Sequence, residues 1–429
     1  MGNCCPPFLP RRHRLWNKAA LRFSHPQRRV GGRSAPNPDT SIQHLLHSHG
    51  GDRARQLYSQ ALPTEKNKSP RITFKQSASL LSVYLENRHE SFFSNALRPQ
   101  HLRPPDLPDS NSNSQLSGVP DPTYGYSFEQ LLEVPTPARP EGFTELWEQW
   151  YNEALWVNPV PRLRDTGKHI KDWRVYDLSF QSTNEFRIEG WALVPRLGNI
   201  KRGFVVGHGY GGRSGPDEHL PFEDSVLLFP CARGISRSAT KRMSSNPVWH
   251  VLHNIQDRDR YVFRGCVEDV WLSVSSLIQL FPEVAGRIGY LGISFGGGIG
   301  TIALASDKRV SKGHVNVPSF GNQLLRLTLP SFGSAGSVQV FAKKHPGVAE
   351  RTLPWFDAAN SALDITIPMH CACALSDPMV APPGQYSIYN SLPGEKELFV
   401  LKAGHSEYEG QEQQETELLQ ELDEFFATL

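Results

Sequence analysis

Residues 287–300 have the sequence RIGYLGISFGGGIG, and this stretch decides the fold. Its first six residues form a short, mostly apolar run, as expected for a strand covered on both faces of a sheet. Gly292 to Gly298 then supply the pattern G-x-S-x-G and two further glycines, with Ser294 at the centre. A strand, a tight turn and a helix of small residues hold such a serine in a strained conformation with its hydroxyl exposed. The stretch therefore predicts a strand–turn–helix unit that presents Ser294 as a nucleophile.

Similar patterns recur on both sides of this unit. Short apolar runs predict further buried strands at 203–206, 225–229, 369–375 and 397–402, and helix candidates lie at 267–281, 298–305, 384–392 and 412–429. Strands that alternate with helices imply an α/β fold, with a mostly parallel central sheet and helices on both faces. Upstream, 174–180 and 185–195 alternate in polarity and predict an N-terminal β-hairpin. Residues 141–155 have the apolar spacing of an amphipathic helix.

The first part of the chain has a different composition. Residues 1–122 are rich in proline and serine, and the first fifty residues carry eight Lys or Arg against one acid, Asp39. This composition predicts a basic, largely disordered N-terminal arm, followed by a single domain over 123–429. A solvated tail is favoured over an arm that contacts phosphates or anionic lipid. The net charge of +2 and the lack of a membrane-length apolar run predict no nucleic-acid partner and no stable membrane association.

The cysteines indicate neither a metal site nor a disulfide framework. Six are present, none in a C-x-x-C spacing, so no zinc site is expected. Cys371 and Cys373 alternate on a predicted strand, and so point to one face, where two small buried residues are a better interpretation than a disulfide. This usage fits a reducing compartment.

A serine hydroxyl needs a base, and chain order in folds with this turn is serine, acid, histidine. The base is therefore expected after the last strand, where His405 follows the run at 397–402. The alternatives are His208, His219, His250, His253 and His370. His208 precedes the nucleophile in the chain and His370 lies within a predicted strand, so His405 is the preferred base.

The acid is expected at the end of the preceding strand. Asp377 follows the run at 369–375, at a carboxyl strand end, where catalytic groups gather in parallel sheets. Asp357 and Asp364 are alternatives, but both precede that strand. A turn or capping role is the structural alternative for Asp377 itself.

An oxyanion needs two fixed N–H donors. The first is expected from the backbone of Phe295, directly after the nucleophile. The second is expected from the glycine-rich loop 207–212, with the sequence GHGYGG, where Tyr210 is the preferred donor. A phosphate-binding loop is the alternative for this stretch, but the G-K-[ST] ending is missing.

These residues together resemble a known family. From about Tyr126 to the C-terminus, the chain resembles the acetyl xylan esterase and cephalosporin C deacetylase family of carbohydrate esterases, within the α/β-hydrolase superfamily. Beyond the serine turn, the matching features are His208-Gly209-Tyr210, Arg233-Gly234, Arg264-Gly265, FDAAN at 356–360, Asp377 with Pro382-Pro383 behind it, and YNSLPG at 389–394. The resemblance implies a triad of Ser294, Asp377 and His405 and oxyanion donors at Tyr210 and Phe295. It also implies a small acetylated substrate, a cytoplasmic location and a homo-oligomer, commonly a ring of six.

Three positions depart from the family pattern. Phe295 stands where the family usually has glutamine, and Ile235 stands where it usually has the glutamine of Arg-Gly-Gln. The acid that usually follows the histidine directly is displaced by one position, to Glu407. These departures weaken the substrate assignment more than the reaction type, because Phe295 donates through its backbone.

The resulting functional prediction is a serine esterase that deacetylates small acetylated carbohydrates or related esters and needs no metal or organic cofactor. The alternatives are a broad-specificity esterase or a peptidase on the same scaffold, and a catalytically silent fold used for binding. The segment 236–261 is long for a connection, and long loops often cover active sites. Trp249 and His250 either line an acyl or sugar pocket there or pack on the surface.

Overall fold

The computed structural model describes residues 121–198 and 200–429. The predicted arm 1–122 lies outside the described residues except for its last two positions, and its predicted disorder stays a prediction. The described chain forms a layered α/β structure around one mixed sheet. No helix within these residues is long and apolar enough to cross a membrane.

The central sheet has nine strands. They are β1 (Arg162–Ile170), β2 (Trp173–Gln181), β3 (Arg187–Pro195), β4 (Arg202–Gly207), β5 (Ser225–Pro230), β6 (Ile288–Ile293), β7 (Lys312–Asn316), β8 (Met369–Ala374) and β9 (Lys396–Leu401). Their order is β1-β2-β3-β5-β4-β6-β7-β8-β9. The first three strands form an antiparallel meander, β3 pairs antiparallel with β5, and every pairing from β5 to β9 is parallel. The predicted hairpin is thus confirmed as β2 and β3, and the mostly parallel sheet is confirmed as well.

Two strands were not predicted. β1 has the polar sequence RLRDTGKHI and is mostly exposed, so it carries no apolar alternation. It lies at the sheet edge, where charged residues protect against pairing with other chains. β7 has the sequence KGHVN. Its lysine, glycine and histidine do not form an apolar run, although the strand is buried from Gly313 to its end. Neighbouring strands bury it, which its local sequence does not reveal.

The helices are α1 (Phe128–Leu132), α2 (Phe143–Leu155), α3 (Pro247–His250), α4 (Val262–Leu280), α5 (Phe295–Ser306), α6 (Gln323–Arg326), α7 (Gly333–Lys344), α8 (Val348–Thr352), α9 (Ala358–Ala362), α10 (Pro382–Ser391) and α11 (Gln411–Phe426). Apolar side chains of α2, α4, α5, α9 and α10 join one core cluster, and those of α11 join a second. Helices therefore cover both faces of the sheet, as predicted. The helices predicted at 267–281 and 298–305 exist but begin earlier, at Val262 and Phe295.

The larger core is dominated by aromatic rings. Trp147 of α2 lies edge-on to Trp150 with ring centroids 4.9 Å apart, and edge-on to Phe356 at 5.5 Å. Such pairs contribute about 0.5–1.5 kcal/mol each beyond the burial of their area. The helix predicted at 141–155 is α2, and its aromatic face packs against the rest of the domain. Cys371 and Cys373 of β8 are buried free thiols, as predicted.

Candidate active site

The turn after β6 holds Ser294 in a conformation that few residues adopt. Its φ is 53° and its ψ is −111°. Gly296 makes the turn possible, because a Cβ there would lie 2.7 Å from the carbonyl carbon of Gly207 and 2.8 Å from His208 O. The backbones of the β4 loop and of α5 therefore touch, and this contact fixes the serine at the carboxyl edge of the sheet. The N-terminus of α5, directly behind it, favours developing negative charge.

The structure brings the three predicted side chains together. His405 Nε2 lies 3.0 Å from Ser294 Oγ, and His405 Nδ1 lies 2.7 Å from Asp377 Oδ2. A carboxylate accepts hydrogen bonds, so Nδ1 carries the ring hydrogen and Nε2 presents its lone pair to the serine hydroxyl. This is the tautomer in which an imidazole removes a serine proton.

Asp377 is fully buried, with 0% of its surface exposed, yet both carboxylate oxygens have partners besides the histidine. Oδ1 accepts from the backbone N–H groups of Met379 and Val380, each at 2.9 Å, and Oδ2 accepts from Gln385 Nε2 at 3.0 Å. Gln385 itself donates to Val380 O and accepts from the N–H of Ala374. These bonds orient the carboxylate and give each of its oxygens donors, which a buried carboxylate needs.

The two predicted oxyanion donors also meet. The rings of Tyr210 and Phe295 are in contact, with centroids 4.3 Å apart. Within the described part of the chain, neither backbone N–H has a hydrogen-bond acceptor. The neighbouring N–H of Gly296 donates to His208 O at 2.9 Å, which joins the β4 loop to the first turn of α5. Both N–H groups are therefore without an acceptor, as a donor to an oxyanion requires.

Comparison with known proteins agrees with this geometry. The family model of acetyl xylan esterase (AXE1) matches residues 127–422. The chain belongs to the acetyl xylan esterase family. It is thus a carboxylic ester hydrolase, an acetyl esterase of the α/β-hydrolase fold, and the predicted family and enzyme class are confirmed.

Two solved structures of acetyl xylan esterases have the same fold. The enzyme from Paenibacillus sp. R4 is 19% identical, with a TM-score of 0.62, and the match covers 69% of this chain and 99% of that one. Acetyl xylan esterase 1 from Thermoanaerobacterium sp. JW/SL YS485 is 21% identical, with a TM-score of 0.58 and the same coverage. Both are similar over their full lengths, so the whole of their fold has a counterpart here.

The three residues that depart from the acetyl xylan esterase pattern lie in different environments. The Phe295 side chain is buried against Tyr210 rather than open to a ligand. Ile235 is buried in the larger core, and Glu407 is exposed. Nothing in the structure explains why the acid is displaced to Glu407.

Two of the alternative histidines, His208 and His370, bond to partners other than Ser294. His208 Nδ1 donates to Gly209 O at 2.6 Å and Nε2 accepts from the N–H of Ala232 at 2.9 Å, so both nitrogens are engaged. Burial lowers the pKa of His208 to about 3, which keeps it neutral. His370 lies within β8, with Nδ1 3.0 Å from His314 Nδ1. These two alternatives are structural histidines.

The alternative acids also have other partners. Asp357 caps α9 and accepts from the N–H groups of Asn322 and Ala359 at 3.0 and 2.9 Å. Burial raises the pKa of Asp357 to about 6 despite these bonds. Asp364, two residues after the end of α9, pairs with Arg139, and both side chains are partly buried. Neither contacts His405.

Sequence reasoning missed two side chains of the site. Gln385, on α10, shares Asp377 with His405, and the only signal for it is that its helix follows the acid by a few residues. Ser319, after β7, places its Oγ 3.5 Å from Ser294 Oγ. Since β7 was not predicted, nothing in the sequence placed Ser319 near the nucleophile.

The two residues singled out in the long segment 236–261 lie in different environments. Trp249 is 54% exposed, whereas His250 is fully buried. His250 contacts the hydroxyl of Tyr210, so this histidine joins the segment to the oxyanion donor. Trp249 lies on the surface, one of the two placements that the sequence left open.

Proposed function

We propose that the protein is a serine esterase that removes acetyl groups from small acetylated carbohydrates or related esters, through an acyl-enzyme on Ser294. The observation that carries this proposal is the position of His405, 3.0 Å from Ser294 Oγ and 2.7 Å from Asp377 Oδ2. A serine hydroxyl is a weak nucleophile alone and becomes reactive when a correctly oriented base accepts its proton.

In the first half of the proposed reaction, Ser294 Oγ attacks the ester carbonyl carbon while its proton moves to His405 Nε2. The carbonyl oxygen gains the negative charge, which the N–H groups of Tyr210 and Phe295 stabilise. The proton on Nε2 then passes to the alcohol oxygen as the carbon–oxygen bond breaks. Ser294 keeps the acetyl group, and the alcohol leaves.

In the second half, water replaces the alcohol. His405 Nε2 accepts a proton from water as the water oxygen attacks the acetyl carbon. Collapse of this intermediate returns the proton to Ser294 Oγ and releases acetate. Asp377 stays ionised throughout and stabilises the imidazolium that forms twice in each cycle.

The packing around the nucleophile favours a small acyl group. Ser294 is only 8% exposed, and Phe295 and Ser319 beside it are buried. Most of the surface of Ser294 is therefore covered by its neighbours. We expect acetyl esters to be hydrolysed faster than butyryl and longer esters, measured on a p-nitrophenyl ester panel together with acetylated xylo-oligosaccharides. A preference for long chains, or cleavage of peptide amides at a comparable rate, would contradict the acetyl assignment.

The nucleophile is tested by labelling with a fluorophosphonate probe. We expect Ser294→Ala to abolish both labelling and ester hydrolysis, because it removes the hydroxyl that lies against His405 Nε2. Ser319→Ala is the matched control, since it removes a buried hydroxyl 3.5 Å away, and it should still be labelled. If Ser294→Ala remains labelled, or the folded wild type hydrolyses no ester, the proposed function fails.

The acid is tested by Asp377→Asn. An amide there favours the wrong tautomer of His405, and we expect kcat to fall by about 10⁴-fold, as in other triads of this kind. Asp364→Asn changes an acid that pairs with Arg139 and accepts from Thr144, and it should leave kcat within a factor of two or so, because both bonds are partly exposed and involve none of the triad residues. Equal losses in the two variants would rule out Asp377 as the orienting acid.

A further inference from the structure

The mechanism leaves two groups beside the site without a role, the hydroxyl of the partly buried Tyr210 and the imidazole of the buried His250. Tyr210 Oη lies 3.0 Å from His250 Nδ1, and His250 Nε2 lies 2.9 Å from Arg233 O. A carbonyl only accepts, so Nε2 carries the hydrogen of a neutral ring and Nδ1 has a lone pair. The hydroxyl of Tyr210 is therefore the donor in its bond with His250.

The far end of this chain of bonds is anchored. The backbone N–H and Nε of Arg233 each donate to Asp269 Oδ2 at 3.0 Å, and its Nη2 donates to Oδ1 at 2.7 Å. Asp269 is buried in the middle of α4. The carbonyl that holds His250 is therefore fixed relative to a long core helix.

The near end reaches both oxyanion donors. The Tyr210 ring packs on Phe295 with centroids 4.3 Å apart, and the His250 ring lies edge-on to Tyr210 at 5.6 Å. A ring held at its face by Phe295 and at its hydroxyl by His250 has no free rotation. The backbone N–H of the same tyrosine is fixed with it.

We propose that His250 is a positioning residue for the oxyanion hole, which holds the backbone N–H of Tyr210 in place through the tyrosine hydroxyl. This inference rests on the proposed function, because it assigns a role to a donor of the proposed reaction. Donors stabilise an oxyanion only when they are fixed before the charge develops, so the loss of this anchor acts on the transition state more than on substrate binding.

The experiment uses the full-length chain and four substitutions. Tyr210→Phe removes only the hydroxyl, and His250→Leu removes the acceptor. His250→Asn keeps an acceptor oxygen close to the place of Nδ1. Tyr261→Phe is the matched control, because Tyr261 is a buried tyrosine whose hydroxyl donates to Val251 O of the same segment, at 2.9 Å, and makes no bond to His250.

We expect Tyr210→Phe and His250→Leu each to lower kcat for p-nitrophenyl acetate about tenfold with little change in KM, a part of the 10²–10³-fold that loss of a whole donor costs. The inhibition constant of phenylboronic acid, whose tetrahedral adduct carries an oxyanion, should rise in parallel. The double variant should be no worse than either single one. His250→Asn should recover part of the loss, and Tyr261→Phe should change stability without changing kcat.

The inference is overturned if Tyr210→Phe leaves kcat and phenylboronic acid inhibition unchanged, if the single losses multiply in the double variant, or if Tyr261→Phe causes the same loss. Should His250→Leu fail to fold, Tyr210→Phe alone decides, because phenylalanine preserves the ring packing. Fluorophosphonate labelling of Ser294 in each variant separates this failure from that of the proposed function. If the variants are labelled by the fluorophosphonate and their kcat is unchanged, only the positioning role is overturned and the proposed function stands.

Discussion

At the scale of single residues, Gly404 shows how closely the triad is packed. A Cβ there would collide with Asp377 Oδ2 and lie 3.0 Å from Val317 Cγ1. The residue before His405 can therefore carry no side chain unless the acid moves. We expect Gly404→Ala to lower kcat/KM at least tenfold, because misplacing a catalytic group by about 1 Å costs up to about 10²-fold. Steady-state kinetics on p-nitrophenyl acetate measures this effect.

The control for that substitution is Gly215→Ala. No heavy atom lies within 4 Å of the place its Cβ would take, so kinetics and stability should both stay close to those of the wild type. Wild-type activity in Gly404→Ala would mean that the acid tolerates displacement, which the buried hydrogen bonds around Asp377 argue against.

At the scale of elements, α11 stands out because its apolar face contributes to the second core cluster. Leu422 is fully buried there, and Phe426 lies edge-on to Phe204 of β4 with ring centroids 5.1 Å apart. We expect Leu422→Ala to lower the free energy of unfolding by about 2–5 kcal/mol, through lost burial and the cavity left behind. Urea unfolding followed by tryptophan fluorescence measures this. Gln420→Ala, on the exposed face of the same helix, should change it by less than about 0.5 kcal/mol.

At the scale of the whole molecule, buried neutral histidines make stability depend on pH. Burial lowers the pKa of His208 to about 3 and the pKa values of His250 and His370 to about 4, against 6.5 for an ordinary histidine. The unfolded chain then binds more protons than the folded one below about pH 6.5, so stability is present above that pH and is lost as pH falls. Burial raises the pKa of Asp357 to about 6 and also raises the pKa of Glu421, and both carboxyl groups act in the opposite sense.

We therefore expect the thermal midpoint to fall steadily between pH 7 and pH 5, where most carboxylates do not yet titrate. Differential scanning calorimetry across this range measures the trend. A midpoint that stays level or rises on acidification would show that these histidines are not neutral in the folded chain. Oligomer formation stays a prediction from the family resemblance, and light scattering on the same samples tests it.

Local sequence pattern and chain order were enough to predict most of the sheet and the three residues of the triad. Buried strands show as short apolar runs and the serine turn as glycines around Ser294, because each depends on neighbours in the sequence. The order of nucleophile, acid and base along strand ends then selected Asp377 and His405. The structure brings all three side chains together.

Only the tertiary structure decided the rest. It showed β7 as a strand, the support of Asp377 by Gln385, the closeness of Ser319 to the nucleophile, and the bond from Tyr210 to His250. Each joins segments that are distant in the chain or lack a local pattern of their own. A hydrogen bond between folded segments depends on where the whole sheet places both partners, and no local periodicity encodes that placement.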